Sequence, residues 1–326
     1  MSAERVPVWV LLGRRRGDNN QLLRLANELG VPFRALELSY NPLYRIPPAL
    51  LGASLATLDK ASRRQIRPPW PDLVLGIGNR SVPPALAIRR LSGGKSKLVR
   101  LGNPRLHPRH FDLIITTPQY GVADAPNVIR LPAGIGTASK LEPILEEAQW
   151  LARLARPHRL LLIGGDSFMW RLGPNTIAGA ASRLKEKPGG STIAVASART
   201  GEANVRAVTG ALRGSDHGLV WGSFPRYPVL LDDADEIYVT ADSVAMISDS
   251  VATGKPVGLV LPQKTFSGRL FYSAAKFGLP VPIRDLCRFW TRIQASGLAG
   301  TLDRPIAGTL PIDPLGVAVP AIRKLL

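Results

Sequence analysis

Short apolar runs alternate with amphipathic stretches along almost the whole chain. Val6 to Gly13 is an unbroken apolar run that reads as a buried strand. GRRRGDNNQ then leads into the amphipathic helix NQLLRLANELG, closed by Gly30. Val31 to Tyr40 is predicted as the second strand. Asn41 to Pro71 is Pro-rich and irregular, with a helical piece near Ala49 to Arg63. Asp72 to Gly78, Lys97 to Gly102, Phe111 to Thr116 and Asn127 to Leu131 supply further strands, the first followed by a helix through Arg90. A helix over Glu142 to Ala155 precedes the basic RPHR at 156–159, which marks a boundary.

A second alternating series follows: strand Leu160 to Ile163, helix near Thr176 to Leu184, strand Thr192 to Ala196, helix Glu202 to Leu212 and strand Leu219 to Trp221. It culminates in DEIYVTADSVAMISDSVATGKPVGLVLP, Asp235 to Pro262. Glu236 to Thr240 is a buried strand, and Asp242 or Ser243 is expected to cap a helix with Val244, Ile247 and Val251 on one face. Gly254 ends that helix, Pro256 prevents its restart, and Val257 to Leu261 resumes a strand. Strand–helix alternation of this kind belongs to doubly wound parallel sheets. The predicted fold is α/β, with two tandem Rossmann-like domains facing a central cleft. Residues 1–150 form the first and 157–310 the second. In the tail, 311–326, Leu315 to Leu326 is expected to be a helix folding back on the first domain.

Composition narrows the function. At 326 residues with 45% apolar positions, the chain is globular and long enough for two cores. Its net charge of +18, from 42 basic and 24 acidic residues, points to phosphorylated ligands or an anionic membrane surface. The basic residues are dispersed without interleaved aromatics, which argues against nucleic acid. The single Cys287 excludes an internal disulfide and a Cys-based zinc site. The N-terminal apolar run is too short for a signal peptide, and no run approaches the roughly 18 apolar residues of a spanning helix. The expectation is a cytoplasmic protein, peripheral at the inner face of a membrane if it meets one.

In open parallel sheets, ligands bind beyond the carboxyl ends of the strands. The loops there at 13–20, 76–81, 102–105 and 116–120 in the first half are polar, Gly- or Pro-rich and mostly cationic, and the second half offers 164–167, 197–200 and 241–243. The turn at 241–243 feeds a helix whose first amides are free to meet an anion. Other motifs fall away. Gly76-x-Gly78-x-x-Ser81 lacks the third glycine and the downstream acid of a dinucleotide site. Gly93-Gly94-Lys95-Ser96 lacks the upstream glycine of a P-loop. Asp233 and Asp235 precede their strand, and the four histidines have no ligand spacing.

Ser243, Ser248, Asp249, Gly254 and Pro256 resemble the donor-binding segment of GT-B glycosyltransferases. In that family the turn amides meet the diphosphate and a Glu holds the ribose; here the acid is Asp249, one methylene shorter. GRRRGDNNQ, PPWPDLVLGIGNRS, ITTPQY and VTADSVAMISDSVATGKPV are similar to the mitochondrial fission (elongated-mitochondria) family, a GT-B glycosyltransferase-like group, over most of residues 8–285. The resemblance implies a glycosyltransferase with a nucleotide-diphosphate sugar as substrate and neither cofactor nor metal. Ser243 and the amides of Val244, Ala245 and Met246 would meet the diphosphate, and Asp249 the ribose. At the strand ends, Arg199 is the candidate cation for the leaving group and Asp18 the candidate base. The acceptor would be lipid-linked or phosphorylated. Two alternatives stand beside this: a nucleotide-sugar epimerase using Asp18 and Asp166, and a non-catalytic scaffold on an anionic membrane that recruits a partner.

Overall fold

The computed structural model describes residues 6–136, 140–214, 217–220, 222–277 and 284–326. The chain forms two compact units, Met1–Thr137 with Ile312–Leu326, and Ala138–Pro311. Each unit holds its own parallel sheet.

The first unit runs β1 (Val8–Leu12), α1 (Arg16–Glu28), β2 (Phe33–Glu37), α2 (Pro48–Leu51), α3 (Lys60–Gln65), β3 (Leu73–Ile77), α4 (Val82–Leu91), β4 (Lys97–Leu101), β5 (Leu113–Thr116) and β6 (Val128–Arg130). Its strands lie in the order β2-β1-β3-β4-β5-β6. Alternation along each strand divides the core in two. Val8, Val10, Leu73, Leu75 and Val99 pack with Leu22 and Leu25 of α1. Trp9, Leu11, Val74, Leu98 and Ile114 pack with Ala85 and Ile88 of α4 on the other face. Helix α1 begins at Arg16, four residues before the expected NQLLRLANELG. The Asn19 side chain pairs with the Gly13 backbone, accepting from its N–H (2.8 Å) and donating to its carbonyl (2.7 Å). That clip shortens the loop and leaves Asp18 in the first helical turn. The helical piece expected at 49–63 is two short helices, α3 being capped by Asp59, which accepts from Ser62 N (2.7 Å).

The second unit runs α5 (Leu145–Ala152), β7 (His158–Ile163), β8 (Trp170–Arg171), α6 (Pro174–Lys185), β9 (Ser191–Ala196), α7 (Glu202–Ala211), β10 (Gly218–Val220), α8 (Tyr227–Asp233), β11 (Glu236–Thr240), α9 (Val244–Val251), β12 (Pro256–Val260), β13 (Gln263–Lys264), α10 (Phe266–Lys276), α11 (Leu286–Ala295), β14 (Gly300–Thr301) and β15 (Ile306–Ala307). The sheet order is β10-β9-β7-β11-β12-β14, with β15 antiparallel on β12 and β8 paired to β13 apart from it. Trp221, the expected end of one strand, lies outside the described residues.

The boundary falls near 137, not at 156–159. Helix α5 belongs to the second unit because its Glu147, fully buried, accepts from Arg226 Nη2 (2.6 Å), Nε (2.8 Å) and N (2.8 Å). Trp150 of the same helix lies on Gly218, where a Cβ would stand 2.3 Å from the indole.

After β15 the chain returns to the first unit as α12 (Pro314–Arg323), capped by Asp313, which accepts from Leu315 N (3.0 Å) and Gly316 N (2.9 Å). Ala318, Val319 and Ile322 join the α1 side of the core. Arg323 donates to Glu28 O (3.0 Å) and Leu29 O (3.2 Å), setting a cation on the carbonyl end of α1. No helix among the described residues is long and apolar enough to cross a membrane.

Candidate functional site

In the second unit β9, β7 and β11 are parallel neighbours, so the loops after them open on one edge of the sheet. Asp242, two residues beyond β11, ties those loops together. Its Oδ2 accepts from Gly165 N (3.0 Å) after β7 and from Arg199 Nη2 (3.1 Å) after β9. Its Oδ1 accepts from Thr240 Oγ1 (2.8 Å), and that hydroxyl in turn accepts from Gly164 N (2.7 Å). Only 2% of the Asp242 side chain is exposed. Burial pushes its carboxyl pKa up, while the Gly165 amide, the Thr240 hydroxyl and Arg199 act in the opposite direction.

This packing requires glycine at two positions. A Cβ on Gly164 would stand 2.3 Å from the Asp242 carboxylate, and one on Gly165 would stand 2.1 Å from Arg199 O. Thr200 Oγ1 accepts from Ser197 N (2.9 Å) and donates to Gly164 O (2.6 Å), and Trp290 Nε1 donates to Ala241 O (2.7 Å). The three strand ends thus form one hydrogen-bonded frame.

The frame changes the expected start of α9. Neither Asp242 nor Ser243 caps it: Ser243 occupies the N-cap without a side-chain bond, and Asp242 is turned back to Gly165. The helix's own bonding starts with Ile247 N to Ser243 O (3.1 Å), so the amides of Val244, Ala245 and Met246 have no acceptor within it. Ser243, Ala245 and Met246 are half-buried. Arg199 is half exposed, with one guanidinium nitrogen held by Asp242. An uncapped helix N-terminus and an oriented cation therefore share the edge, an arrangement suited to a polyvalent anion.

The other candidate residues lie as follows. Asp249 is buried in α9, where Tyr227 Oη donates to its Oδ2 (3.2 Å). Burial, with the Asp249 charge beside it, pushes the Tyr227 phenol well above its usual value. Asp18 is in the first unit, half-buried in the first turn of α1. Asp166 accepts from Leu172 N (2.9 Å) and so fixes the loop before α6. Asp233 and Asp235 stand at the opposite, amino edge of their sheet, bound to Arg156 and His158. A cavity of about 560 Å³ opens there, lined by Leu141, Arg156, Asp232 and Lys255 among others. Thr240, Thr200, Tyr227 and Trp290 were missed as site residues. For the first, a Thr-x-Asp at a strand's carboxyl end was the available signal.

The family described as mitochondrial fission ELM1 matches residues 16–275. No curated protein matches the sequence. Among solved structures, the chain is similar to UDP-GlcNAc 2-epimerase from Methanocaldococcus jannaschii (TM-score 0.55, 12% identity, covering 98% of this chain and 99% of that one). It is also similar to a UDP-glucosyltransferase from Polygonum tinctorium capable of glucosylating indoxyl (TM-score 0.53, 10% identity, covering 100% and 99%). A third is UDP-GlcNAc 2-epimerase from Neisseria meningitidis, bound to UDP-GlcNAc (TM-score 0.50, 13% identity, covering 97% and 98%). At such identities the likeness shows the fold, which is of the GT-B type, two Rossmann-like units in one chain. With most of its length matched, the chain belongs to the mitochondrial fission ELM1 family.

Proposed function

We propose that the protein is a glycosyltransferase whose donor is a nucleotide-diphosphate sugar held at the carboxyl edge of the second unit's sheet. The observation that carries this reading is the Asp242 frame, which leaves α9 uncapped and fixes Arg199 beside it. In the reaction the C1–O bond to the diphosphate breaks and its electron pair leaves on the diphosphate oxygen. An acceptor oxygen bonds to C1 and its proton passes to a base. The Val244, Ala245 and Met246 amides, the Ser243 hydroxyl and the remaining donors of Arg199 take the charge that develops on the leaving group. These dipoles are fixed before the reaction begins, which is where electrostatic catalysis gains most. Asp242 is a positioning residue: it orients Arg199 and occupies none of the α9 amides. Asp249, oriented by Tyr227, is the ribose partner in this scheme, and Asp18 the base for the acceptor hydroxyl. No metal or cofactor is called for, and the acceptor is a phosphorylated or lipid-linked hydroxyl compound. The epimerase alternative would use Asp166 as acid or base, but one of its carboxylate oxygens already serves the Leu172 amide.

The test is a thermal-shift panel of UDP-, GDP-, ADP- and CMP-sugars, followed by nucleotide release in the presence of a crude lipid acceptor. A ligand at a hundredfold excess over Kd stabilises by about 2.7 kcal/mol, which is readily seen. Arg199→Ala should lower turnover about a hundredfold or more. If no nucleotide stabilises the protein, the reading fails. If nucleotide binds but Arg199→Ala turns over normally, Arg199 has no part in the chemistry.

A further inference from the structure

The carboxyl edge of the first unit's sheet gathers arginines around two tyrosines. Arg14 follows β1, Tyr40, Tyr44 and Arg45 follow β2, Arg80 follows β3, and Arg100 is on β4. The Arg80 guanidinium stacks 4.0 Å from the centre of the Tyr44 ring. Arg45 above all, with Arg80 and Arg14, holds the Tyr44 phenol below its ordinary range. Deeper in, burial pushes the Tyr40 phenol up to about 12, with the Arg100 and Arg80 charges acting in the opposite direction. The charged groups that act most on these two tyrosines are arginines.

Arg100 forms the floor. It is fully buried, and the absence of a side chain at Gly76 makes its space, since a Cβ there would stand 2.0 Å from Nη1. Its Nη2 donates to Gly78 O and to Ser81 Oγ (3.0 Å), whereas Nε and Nη1 find no partner among the described residues. Burial lowers its pKa to about 10, so the group remains a cation at neutral pH. An unpaired buried charge is strongly unfavourable unless an opposite charge lies close. Helix α4 starts beside it with its positive end, adding potential of the same sign. That end offers field without donors, because Pro83 and Pro84 have no N–H and Val82 N is bonded to Asn79 O (3.2 Å). Recognition of an anion would therefore fall to side chains.

We infer that this edge is a phosphate-binding site, taking a terminal phosphomonoester or diphosphate on Arg45, Arg80 and the Tyr44 hydroxyl above the buried Arg100. Several guanidinium forks match the multiple oxygens and double charge of such a group, where a carboxylate would engage only one. The site uses no residue of the second unit and does not rest on the donor reading.

The experiment is calorimetric titration of the full chain with inorganic pyrophosphate, in wild type, in Arg199→Ala, and in each combined with Arg45→Gln and Arg80→Gln. Both replaced residues are exposed, so the fold should persist, as circular dichroism would check. The expected result is pyrophosphate affinity that survives Arg199→Ala and falls tenfold or more when the paired change is added to that variant. No binding by wild type, affinity that survives the paired change in the Arg199→Ala background, or affinity lost with Arg199→Ala alone would overturn the inference. Co-sedimentation with phosphatidylcholine vesicles carrying phosphatidic acid identifies the source. Sedimentation abolished by the paired change assigns a lipid-borne phosphate, and pyrophosphate binding without sedimentation assigns a soluble one. The nucleotide panel judges the second unit separately.

Discussion

Replacing Asp242 tests whether three strand ends depend on one carboxylate. Asp242→Ala removes the acceptor of a buried Gly165 N–H and of the Thr240 hydroxyl. An orphaned buried amide costs about 1–3 kcal/mol and a lost hydroxyl bond about 1, while Arg199 returns to solvent at little cost. The local penalty is therefore about 2–4 kcal/mol, reduced by whatever desolvation of the carboxylate had cost. Asp242→Asn should be milder, near 1 kcal/mol. Its carbonyl can still accept from Gly165, and its amide can donate to a rotated Thr240 hydroxyl. Amide hydrogen exchange at Gly165 reads this locally: about thirtyfold faster exchange, or more, is expected in Asp242→Ala. Nucleotide stabilisation should weaken in both variants because Arg199 loses its anchor in Asp242→Ala and its charged partner in Asp242→Asn. The pH dependence supplies a second check. The folded carboxyl pKa is raised, so its contribution is most favourable below the ordinary aspartate range and is lost as pH rises through the raised value. Wild type should therefore lose stability relative to Asp242→Asn across mildly acidic pH as pH increases. Unchanged Gly165 exchange in Asp242→Ala, together with undiminished nucleotide binding, would refute the frame.

Gly165→Ala would place a methyl 2.1 Å from Arg199 O, a backbone atom that cannot step aside, and should cost about 1–3 kcal/mol by overpacking and abolish nucleotide-induced thermal stabilisation. Asp249→Asn should weaken nucleotide binding about tenfold by titration, about 1.4 kcal/mol; equal affinity would leave Asp249 a packing residue of α9. His158 has both ring nitrogens on oxygens, Nδ1 on Asp233 Oδ2 (2.6 Å) and Nε2 on Leu154 O (3.0 Å), so the two bonds form together only in the imidazolium form and favour it. The Asp233 bond raises its pKa, and the stabilisation, complete below the ordinary histidine value, is lost as pH rises through the raised one. Denaturant unfolding of His158→Gln against wild type should show that alkaline-side loss disappear.

The parallel sheets were legible because their strands are apolar throughout. Val8–Leu12, Leu73–Ile77, Leu113–Thr116 and Glu236–Thr240 sit within about two residues of where composition alone puts them. What escaped were features decided by partners remote in sequence. The boundary was drawn at RPHR because basic, Pro-containing stretches look like linkers. The deciding contact is Glu147 with Arg226, 79 residues apart, which fastens α5 to the unit that follows it. The start of α1 was misplaced for a local reason: Asn19 looks like the first residue of a helix, yet its amide closes the loop behind it. The apolar pattern predicts none of α8, α10 and α11, nor the short β8, β13, β14 and β15.

At the donor edge the sequence reveals residue types but not directions. Asp242 beside Ser243 reads as a choice between two caps, since both side chains commonly accept from a helix's leading amides. That choice dissolves once Gly164 and Gly165 come within reach, because a carboxylate bonding a buried amide, a hydroxyl and a guanidinium is better satisfied than one bonding a half-exposed helix end. The same remoteness hides Arg100, a strand residue in the midst of Leu98, Val99 and Leu101 whose partners come from the loop after β3. In the second unit the buried Asp242 orients the half-exposed Arg199, and in the first the buried Arg100 is held by Gly78 and Ser81 on the edge where the exposed Arg45 and Arg80 stand. Basic charge spread along a sequence marks a protein that meets anions. Which arginine is fixed to meet one is decided in the second unit by the buried Asp242, whose partners after β7 and β9 are remote in sequence.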